Sequence, residues 1–412
     1  MKKFIALEEA LEILNKNTKA LKSEVVSIKD SLKRVLYGDV KSNINNPPFN
    51  KSVFDGYAFK SEDSKGTSKE NPIELKIVDE IFAGMWPEIE IKHGEAIRIM
   101  TGAPIPMGAD CVLKQEETER HGDLVKIFKE MKSYENISFM GEDIKIGETL
   151  IKKGKRLDYA DLGIMASSGI SEVLVYKKPR VSIISTGDEV CDINSTLKPG
   201  KIYDSNLYSL SARIEELGYN VLSMEHVGDN ILKIGEAIEK AFEKSDIVFT
   251  TGGASVGEKD LMQKVSESIG FEKLFWKIKI KPGSAVVCSK KEEKILISLS
   301  GNPNAALTTF ELLGKPVLKK LEGEEENINI KREKGVLMDS FNKKSPQRRF
   351  LRGNVIYDQK GAKVYITQIK SGNGILSSLL NANCLIEIEK GNEGLNLSLI
   401  HISEPTRRVV IS

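Results

Sequence analysis

The residues best suited to chemistry stand where an apolar run breaks into two glycines, in the stretch DIVFTTGGASVGEKD at residues 246–260. The pattern predicts a short buried strand, a glycine loop and then a helix. The backbone N–H groups of such a loop, the helix dipole and the hydroxyl groups of Thr250, Thr251 and Ser255 favour a bound phosphate or another oxyanion. Asp260 at the rim favours a hard cation beside that anion. The alternative is a plain strand-to-helix turn without a ligand.

Further acidic residues follow two other predicted strands. Asp188 and Glu189 come after RVSIIST, and Asp229 comes after NVLSMEHV. Strands alternate with helices over residues 178–325, which predicts a parallel sheet with helices on both faces. The carboxyl ends of the strands would bring these acids together with Asp260. Because like charges in one crevice repel unless a cation holds them, the four acids predict a divalent-metal site rather than a merely soluble surface.

Two more loops belong to the same predicted sheet. KPGS places Lys281 beside a Pro-Gly turn, where it can supply a fixed positive charge or be an ordinary surface lysine. ILISLSGNPNAAL predicts an apolar strand that meets Gly301 and then a helix with Pro303 in its first turn. This helix N-terminus would add a second anion-binding loop to the sheet edge.

The amino-terminal half has a different pattern. Apolar residues at helical spacing predict a helix over residues 4–17. PPFNKSVFDGYAF then places Asp55 before a glycine, which on local grounds is ordinary turn chemistry. Short alternating runs from Pro72 to Met131 predict an inserted all-β region. Within it, Thr101 heads the loop TGAPIP, which two prolines stiffen.

Composition excludes several classes of protein. The chain has 412 residues, enough for several domains, and its 61 basic and 59 acidic residues leave a net charge of +2. Bulk charge therefore argues for neither a nucleic acid nor a membrane as partner. The four cysteines are far apart and indicate neither a zinc site nor a disulfide framework. No signal peptide and no apolar run of membrane-spanning length is found, so we expect a cytoplasmic protein.

Common catalytic motifs are missing from the chain. It contains no G-x-x-x-x-G-K-[ST] phosphate loop, no G-x-G-x-x-G dinucleotide motif and no G-x-S-x-G serine elbow. The four histidines are scattered, which disfavours a histidine base or a histidine-rich metal site. What remains are oxyanion loops, acids suited to a hard cation, and hydroxyl groups.

The last residues have an unusual sequence. Residues 397–407 read LSLIHISEPTR, which resembles the translation of a widely used sequencing adapter. The alternative is a genuine last strand, because SLIHIS alternates. We treat residues 397–412 as a non-native tail and expect the last strand of the terminal domain to be missing or replaced.

Nine segments, in order along nearly the whole chain, resemble the molybdopterin molybdenumtransferase family, called MoeA in bacteria and represented by the C-terminal part of gephyrin in animals. The segments are PPFNKSVFDGYAF, AIRIMTGAPIPMGADCV, GEDI, SIISTGDEV, GKIYDSN, TTGGASVGEKD, IKPGSAVV, SGNPNAALTTFELL and SGNGILSSLLNANCLIEI. The resemblance implies an α/β plus β multidomain fold with a parallel-sheet molybdopterin-binding domain, a β-rich inserted domain and a C-terminal β-barrel.

The implied domain boundaries agree with the breaks in the sequence pattern. The first domain is segmented and dimer-forming, at residues 1–50 and 140–177, and the β-rich second domain occupies residues 51–139. The molybdopterin-binding third domain occupies residues 178–325, and the β-barrel fourth domain occupies residues 326–396. The resemblance implies a homodimer in which the second domain of one subunit completes the site of the other. Molybdopterin adenylyltransferase is a further candidate partner.

The implied reaction is insertion of molybdenum from molybdate into adenylyl-molybdopterin, with Mg²⁺-dependent release of AMP. Both substrates are anions, which suits fixed N–H groups and a cation. The catalytic residues that the resemblance implies are Asp55, Thr101, Asp143, Glu189, Asp229 and Asp260. The last three of these would also hold Mg²⁺. The implied pocket and anion contacts are Asp188, Asp204, Ser205, Gly252, Gly253, Ser255, Lys281 and Pro303.

Three positions depart from the family pattern. Asn50 stands where an aspartate is usual, Ser138 where an arginine often precedes GED, and Ser300 where a proline is usual before GNP. These departures bear on substrate affinity rather than on the class of reaction. Two other functions remain as alternatives: a scaffold that keeps the fold as an interaction module, and an adenylyltransferase acting on molybdopterin itself. The sequence does not distinguish molybdate from tungstate, nor the enzymes that receive the cofactor.

Overall fold

The computed structural model of the chain describes residues 2–253, 261–324, 328–359, 361–367, 376–395 and 398–403. The chain divides into two compact units. The first unit comprises Met1–Glu24, Lys33–Tyr37 and Val175–Ser412, and the second comprises Val25–Leu32 and Gly38–Leu174. No helix among the described residues is long and apolar enough to cross a membrane.

The strands and helices are numbered in chain order. The strands are β1 (Lys2–Ile5), β2 (Ser23–Ser27), β3 (Val40–Lys41), β4 (Lys51–Ser52), β5 (Gly56–Phe59), β6 (Ile73–Ile81), β7 (Glu95–Ile99), β8 (Cys111–Lys114), β9 (Thr118–His121), β10 (Leu124–Ile127), β11 (Ile137–Ser138), β12 (Thr149–Ile151), β13 (Glu172–Tyr176), β14 (Arg180–Thr186), β15 (Val190–Cys191), β16 (Ile202–Tyr203), β17 (Asn220–Val227), β18 (Ile247–Thr251), β19 (Glu272–Ile278), β20 (Ile280–Lys281), β21 (Val287–Lys291), β22 (Lys294–Leu299), β23 (Arg332–Leu337), β24 (Arg348–Asp358), β25 (Gly361–Ile366), β26 (Cys384–Ile388) and β27 (Leu399–Ser403). The α-helices are α1 (Leu7–Asn17), α2 (Tyr159–Ser167), α3 (Ser205–Glu216), α4 (Ile231–Lys244), α5 (Leu261–Ser268), α6 (Pro303–Thr309) and α7 (Lys315–Leu321), and a π-helical turn, Phe310–Gly314, joins the last two.

A seven-stranded sheet forms the centre of the first unit, in the order β1-β19-β21-β22-β18-β14-β17. All neighbouring strands are parallel except where β21 pairs with β19 and β22. Successive side chains point to opposite faces. Ile183 therefore packs with α1, α3 and α6, and Ile184 packs with α4 and α5. The predicted sheet with helices on both faces is confirmed, and β21 is an antiparallel member that the alternation did not predict.

The amino-terminal helix is shorter than the sequence predicts. Helix α1 begins at Leu7, and the preceding residues form β1, which pairs in parallel with β19 at the edge of the sheet. Phe4, which the helical spacing included, lies in β1 and is 41% exposed. The prediction was wrong at these residues because the partner of β1 lies some 270 residues later in the chain, as Lys2 pairs with Phe275.

Five strands near the C-terminus close into a barrel. They pair in the order β24-β25-β23-β27-β26, and β26 pairs again with β24. The interior contains Leu337, Val355, Val364, Ile386 and Ile402. The predicted β-barrel is confirmed, and closure leaves the ring without a free strand edge.

One barrel strand comes from the stretch whose sequence resembles an adapter. β27 pairs antiparallel with β23 and β26, and Ile400 and Ile402 are buried. Alternating apolar residues are enough to fill this position, because one face of the strand meets the barrel core. The non-native origin of residues 397–412 stays a prediction. The position of β27 in the ring is compatible with a replaced last strand.

The second unit is built mainly of short strands. Six of them form a sheet in the order β8-β5-β7-β6-β10-β9, in which β6 and β7 are parallel. Tyr57 and Phe59 face one apolar cluster and Ala58 faces another, so both faces of β5 are covered. Helix α2 is capped by Asp158, whose carboxylate accepts hydrogen bonds from the N–H groups of Ala160 and Asp161. The β-rich inserted region is confirmed.

Candidate active-site residues in the two units

Asp55 and Thr101 lie together in the second unit. Asp55 precedes β5 and Thr101 follows β7, and these strands pair so that Gly56 lies opposite Ile99. The N–H and the Oγ1 hydroxyl of Thr101 both donate to Asp55 Oδ1, at 2.7 Å each. These hydrogen bonds, with the positive charge of Arg98, lower the pKa of Asp55 below its usual value. The carboxylate is therefore held ionised and oriented by the threonine.

The glycine after Asp55 is required by packing and not by a turn. Gly56 lies within β5, and a Cβ atom there would lie 2.0 Å from the backbone oxygen of Leu113 in β8. The Asp-Gly pair thus marks a close approach of two strands. Local turn chemistry, the alternative from sequence, does not account for it.

Asp143 lies in a cleft of the same unit. Its Oδ2 atom accepts a hydrogen bond of 3.0 Å from the Nδ2 amide of Asn46, and its backbone N–H donates to Asn46 O at 3.1 Å. The cleft has a volume of about 650 Å³. It is lined by Asn46, Pro47, Lys51, Ser52, Val53, Thr101, Gly102, Ile137, Ser138, Glu142 and Asp143. The structure thus brings Thr101 and Asp143 to one cleft, with Asp55 bonded to Thr101.

Sequence reasoning missed Asn46 and Lys51 as cleft residues. Both lie beside the PPF motif, and nothing in their spacing shows that they face residues 137–143. Two of the departures lie here as well. Asn50 Oδ1 accepts a hydrogen bond of 2.8 Å from the N–H of Met140, an acceptor role that a carboxylate would also fill. Ser138 lines the cleft with a short neutral side chain.

Asp188, Glu189 and Asp229 lie close together in the first unit. They follow β14 and β17, which pair in parallel, and the N–H of Asp229 donates to Asp188 Oδ1 at 3.0 Å. A Cβ atom at Gly187 would lie 2.7 Å from Glu189 Oε2, and one at Gly228 would lie 2.8 Å from Asp188 Oδ1. The two glycines therefore leave room for the carboxylates at this edge of the sheet.

The metal site stays a prediction. Within the residues that the structure describes, no group of three or more His, Cys, Asp or Glu side chains is placed to hold a metal ion. Asp260, the third predicted Mg²⁺ ligand, and Ser255 lie outside the described residues. The oxygen donors of Glu189 and Asp229 are the kind that Mg²⁺ prefers.

Two glycine loops meet between β18 and β22. Gly252 has φ 96° and donates its N–H to Leu299 O at 3.2 Å, and a Cβ atom there would lie 2.2 Å from Thr186 O. A Cβ atom at Gly301 would lie 3.4 Å from the Cα atom of Gly252. Gly253 also has positive φ, at 64°. Only glycine fits the approach of Gly252 to Thr186, so the two loops lie close together at the strand ends.

The hydroxyl groups predicted for this loop are placed differently. Thr250 and Thr251 are the last residues of β18 and are 0% and 1% exposed. The buried strand runs two residues further than the apolar run at residues 247–249 suggested, so both side chains are enclosed, and donation of their hydroxyl groups to an anion stays a prediction. In the loop between β22 and α6, Ser300 Oγ accepts a hydrogen bond from the N–H of Asn302 at 3.3 Å. Pro303 is the first residue of α6.

Asp204 and Ser205 lie at the start of α3. Asp204 caps the helix by accepting from the N–H of Leu207 at 2.9 Å and is 5% exposed, while Ser205 is the first helical residue. Asn206, which the sequence did not single out, donates from Nδ2 to Gly301 O at 2.7 Å. This bond ties the start of α3 to the GNP loop.

Lys277 and the acids lie toward opposite ends of the carboxyl edge of the sheet. Lys281 is exposed at the end of β20, and the alternation in KIKIKPG adds Lys277 and Lys279, which sequence reasoning missed. None of these three forms an ion pair with a described residue. β19 runs in the same direction as β22 and β14, so Lys277 lies at the carboxyl edge, four strands and about 19 Å from β14. Anions are favoured at the β19 end and cations at the β14 end.

Comparison with known proteins covers most of the chain. Residues 5–169 match the family model described as MoeA N-terminal region (domain I and II). Residues 182–320 match the model described as "Probable molybdopterin binding domain", and residues 334–397 match MoeA C-terminal region (domain IV). The chain is 37% identical over 393 residues to a Staphylococcus epidermidis protein named molybdopterin molybdenumtransferase, covering 95% of this chain and 93% of that one. The chain belongs to the MoeA family.

Other members of the MoeA family agree with this assignment. A Staphylococcus aureus protein, also named molybdopterin molybdenumtransferase, is 36% identical over 390 residues, which cover 95% of this chain and 93% of that one. A crystal structure described as the molybdopterin biosynthesis MoeA protein of Pyrococcus horikoshii superposes with a TM-score of 0.86 at 32% identity. The match covers 97% of this chain and 99% of that one. The resemblance found in the sequence, and the multidomain fold that it implied, are confirmed.

Proposed function

We propose that this MoeA-family protein is a transferase of molybdenum cofactor biosynthesis that inserts molybdenum from molybdate into adenylyl-molybdopterin and releases AMP. The observation that carries the proposal is the sheet edge of the first unit, where two glycine loops lie between Lys277 and a set of carboxylates. A substrate with a phosphoanhydride needs both kinds of group. The names of the curated relatives support the same reaction.

Each part of the edge has a task in this reaction. The loops after β18 and β22 offer backbone groups to the phosphates. Lys277 adds positive charge at the β19 end, and Lys281 adds it at the end of β20. Asp229 and Glu189, together with Asp260, would hold Mg²⁺, which when bound neutralises charge on the phosphates as the phosphoanhydride bond breaks. Molybdate enters as substrate, and its oxyanion character requires the same donors.

The second unit would complete the site from another subunit. Asp55 is ionised, and one of its carboxylate oxygens accepts a hydrogen bond from the Thr101 hydroxyl. The pair therefore presents a fixed negative charge and a hydroxyl oxygen beside the cleft that contains Asp143. We propose a cytoplasmic homodimer in which these residues face the sheet edge of the partner subunit. Shared sites of this kind would explain why the charged groups are divided between two units.

Measurement of the nucleotide product tests the proposal. Purified protein is incubated with adenylyl-molybdopterin, molybdate and Mg²⁺, and AMP is measured by chromatography. Release of AMP that depends on molybdate supports the proposal, and Asp229→Asn should lower it strongly. Well-folded protein that releases no AMP would contradict it. A protein that instead forms pyrophosphate from ATP and molybdopterin would be an adenylyltransferase.

A further inference from the structure

An exposed aromatic side chain on the second unit has no task in the reaction described above. Trp86 lies in the loop between β6 and β7 and is 69% exposed. Phe82 and Met85 in the same loop are each 49% exposed. Large apolar side chains that are grouped on a surface mark a place where something binds. We call Phe49, Phe82, Met85 and Trp86 the aromatic platform.

The aromatic platform is held in a defined orientation. The ring of Phe49 meets the ring of Trp86 edge to face, with centroids 5.8 Å apart and planes at 86°. This is one of the two favoured arrangements of aromatic rings, because the positive edge of one ring faces the negative face of the other. The N–H of Met85 donates to Phe82 O at 3.1 Å and closes the turn that carries them.

The aromatic platform also adjoins the cleft of the same unit. Phe49 lies between Pro47 and Lys51, which both line the cleft. At the other side, a Cβ atom at Gly102 would lie 4.0 Å from Ala83 Cβ, and Gly102 lines the cleft as well. An apolar surface therefore continues into a polar pocket. Such a combination suits a ligand with a flat apolar face and several polar groups.

We infer that the aromatic platform stacks against a fused bicyclic heteroaromatic ring, a pterin or an adenine, of the substrate whose polar groups occupy the neighbouring cleft. Both rings are flat, and a tryptophan face binds such rings without reading their edges. The identity of the ring rests on the proposed function, because adenylyl-molybdopterin carries both. The cleft would supply specificity through Thr101 and Asp143, and the platform would supply affinity.

Tryptophan fluorescence tests this inference directly. The chain has two tryptophans, so in a Trp276→Phe variant the emission reports Trp86 alone. The variant is titrated with AMP, with 6-carboxypterin and with ribose 5-phosphate, with correction for absorption by the ligands. Saturable quenching by AMP would show that the platform binds adenine. Saturable quenching by 6-carboxypterin would show that it binds the pterin ring. Quenching by neither ring, or equal quenching by ribose 5-phosphate, would overturn the inference.

Substitutions of Trp86 give a second measurement by calorimetry. Trp86→Ala should weaken binding of the ring compound about tenfold, and Trp86→Phe should keep most of the affinity. Tyr159→Ala is the matched control, since Tyr159 is another exposed aromatic residue of this unit and is 86% exposed. Equal affinity of Trp86→Ala and the wild type would overturn stacking.

The inference and the proposed function can fail separately. If the wild-type protein releases AMP and Trp86→Ala binds both ring compounds with wild-type affinity, the proposed function is supported and stacking on the platform is contradicted. Quenching of Trp86 by a ring compound in a protein that releases no AMP would support stacking on the platform and contradict the proposed function.

Discussion

Glu311→Gln should strongly destabilise the first unit, because the Glu311 carboxylate is the anionic partner of buried cations. Its side chain is 9% exposed and accepts hydrogen bonds from Arg213 Nε at 2.6 Å and Nη2 at 3.3 Å. Lys315 Nζ lies 3.6 Å from Glu311 Oε2. Arg352 is buried close by and, among the residues that the structure describes, its side chain donates to the neutral groups Asn304 Oδ1 and Thr308 Oγ1, at 3.3 and 3.4 Å.

The pKa values show how the charges depend on one another. Burial raises the pKa of Glu311, but its hydrogen bond to Arg213 and the charges of Arg213, Lys315 and Arg352 lower the pKa more, so that it lies below 4.5. Burial lowers the pKa of Arg352 to about 10, although the charge of Glu311 acts in the opposite direction. Removing the negative charge would take away the buried carboxylate that Arg213 and Lys315 contact and whose charge acts on Arg352.

The expected magnitude follows from this burial. Breaking a buried ion pair by removing one partner costs about 3 to 5 kcal/mol. The side chain of Arg213 is 18% exposed, so water recovers part of the loss, and we expect about 3 kcal/mol. For a unit of this size the melting temperature should fall by about 6 °C.

The control uses the same arginine. Arg213 Nη1 also donates to Glu216 at 2.6 Å, but the Glu216 side chain is 64% exposed. Glu216→Gln should therefore cost less than about 1 kcal/mol. Both variants are compared with the wild type by urea unfolding followed by circular dichroism. Equal losses for Glu311→Gln and Glu216→Gln would refute the reasoning, because burial would then not decide the strength of the pair.

The pH dependence gives an independent check. A carboxyl group whose pKa is lower in the folded state stabilises the fold above its unfolded pKa, and this contribution is lost as the pH falls through the folded pKa. The difference in unfolding free energy between the wild type and Glu311→Gln should therefore be full at neutral pH and should shrink below about pH 4.5. A difference that stays constant with pH would show that the glutamine changes packing and not charge.

Three further outcomes are expected. Asp55→Ala and Asp229→Ala should each abolish AMP release, and mixed dimers of the two should regain part of it; no rescue in demonstrated mixed dimers would argue against shared sites. Gly252→Ala should lose activity because its Cβ atom would lie 2.2 Å from a backbone oxygen, whereas Gly200→Ala, with positive φ but open space, should stay active; equal activities would contradict this. A thiol reagent should modify Cys191 first, since the other three cysteines are buried and burial raises their pKa; mass spectrometry that finds another cysteine modified first would contradict it.

Local patterns in the sequence determined the fold class and the place of the loops. Alternating strands and helices over residues 178–325 predicted the central sheet, and short β runs predicted the insertion and the barrel, because apolar periodicity reports which face of each element is buried. Glycines after apolar runs, a pair at Gly252 and a single one at Gly301, marked the two loops for the same local reason. The nine family motifs added the class of reaction, which periodicity does not contain.

Contacts between distant residues were decided only by the tertiary structure. The pairing of β1 with β19, the bond from Asn46 to Asp143 and the enclosure of Glu311 by cations each join residues that no local pattern relates. The same is true of Lys277 and the carboxylates toward opposite ends of one sheet edge, since strand order sets their separation. Sequence determines which groups are present and on which face they lie. Folding determines which of them meet, because burial and charge act between neighbours in space.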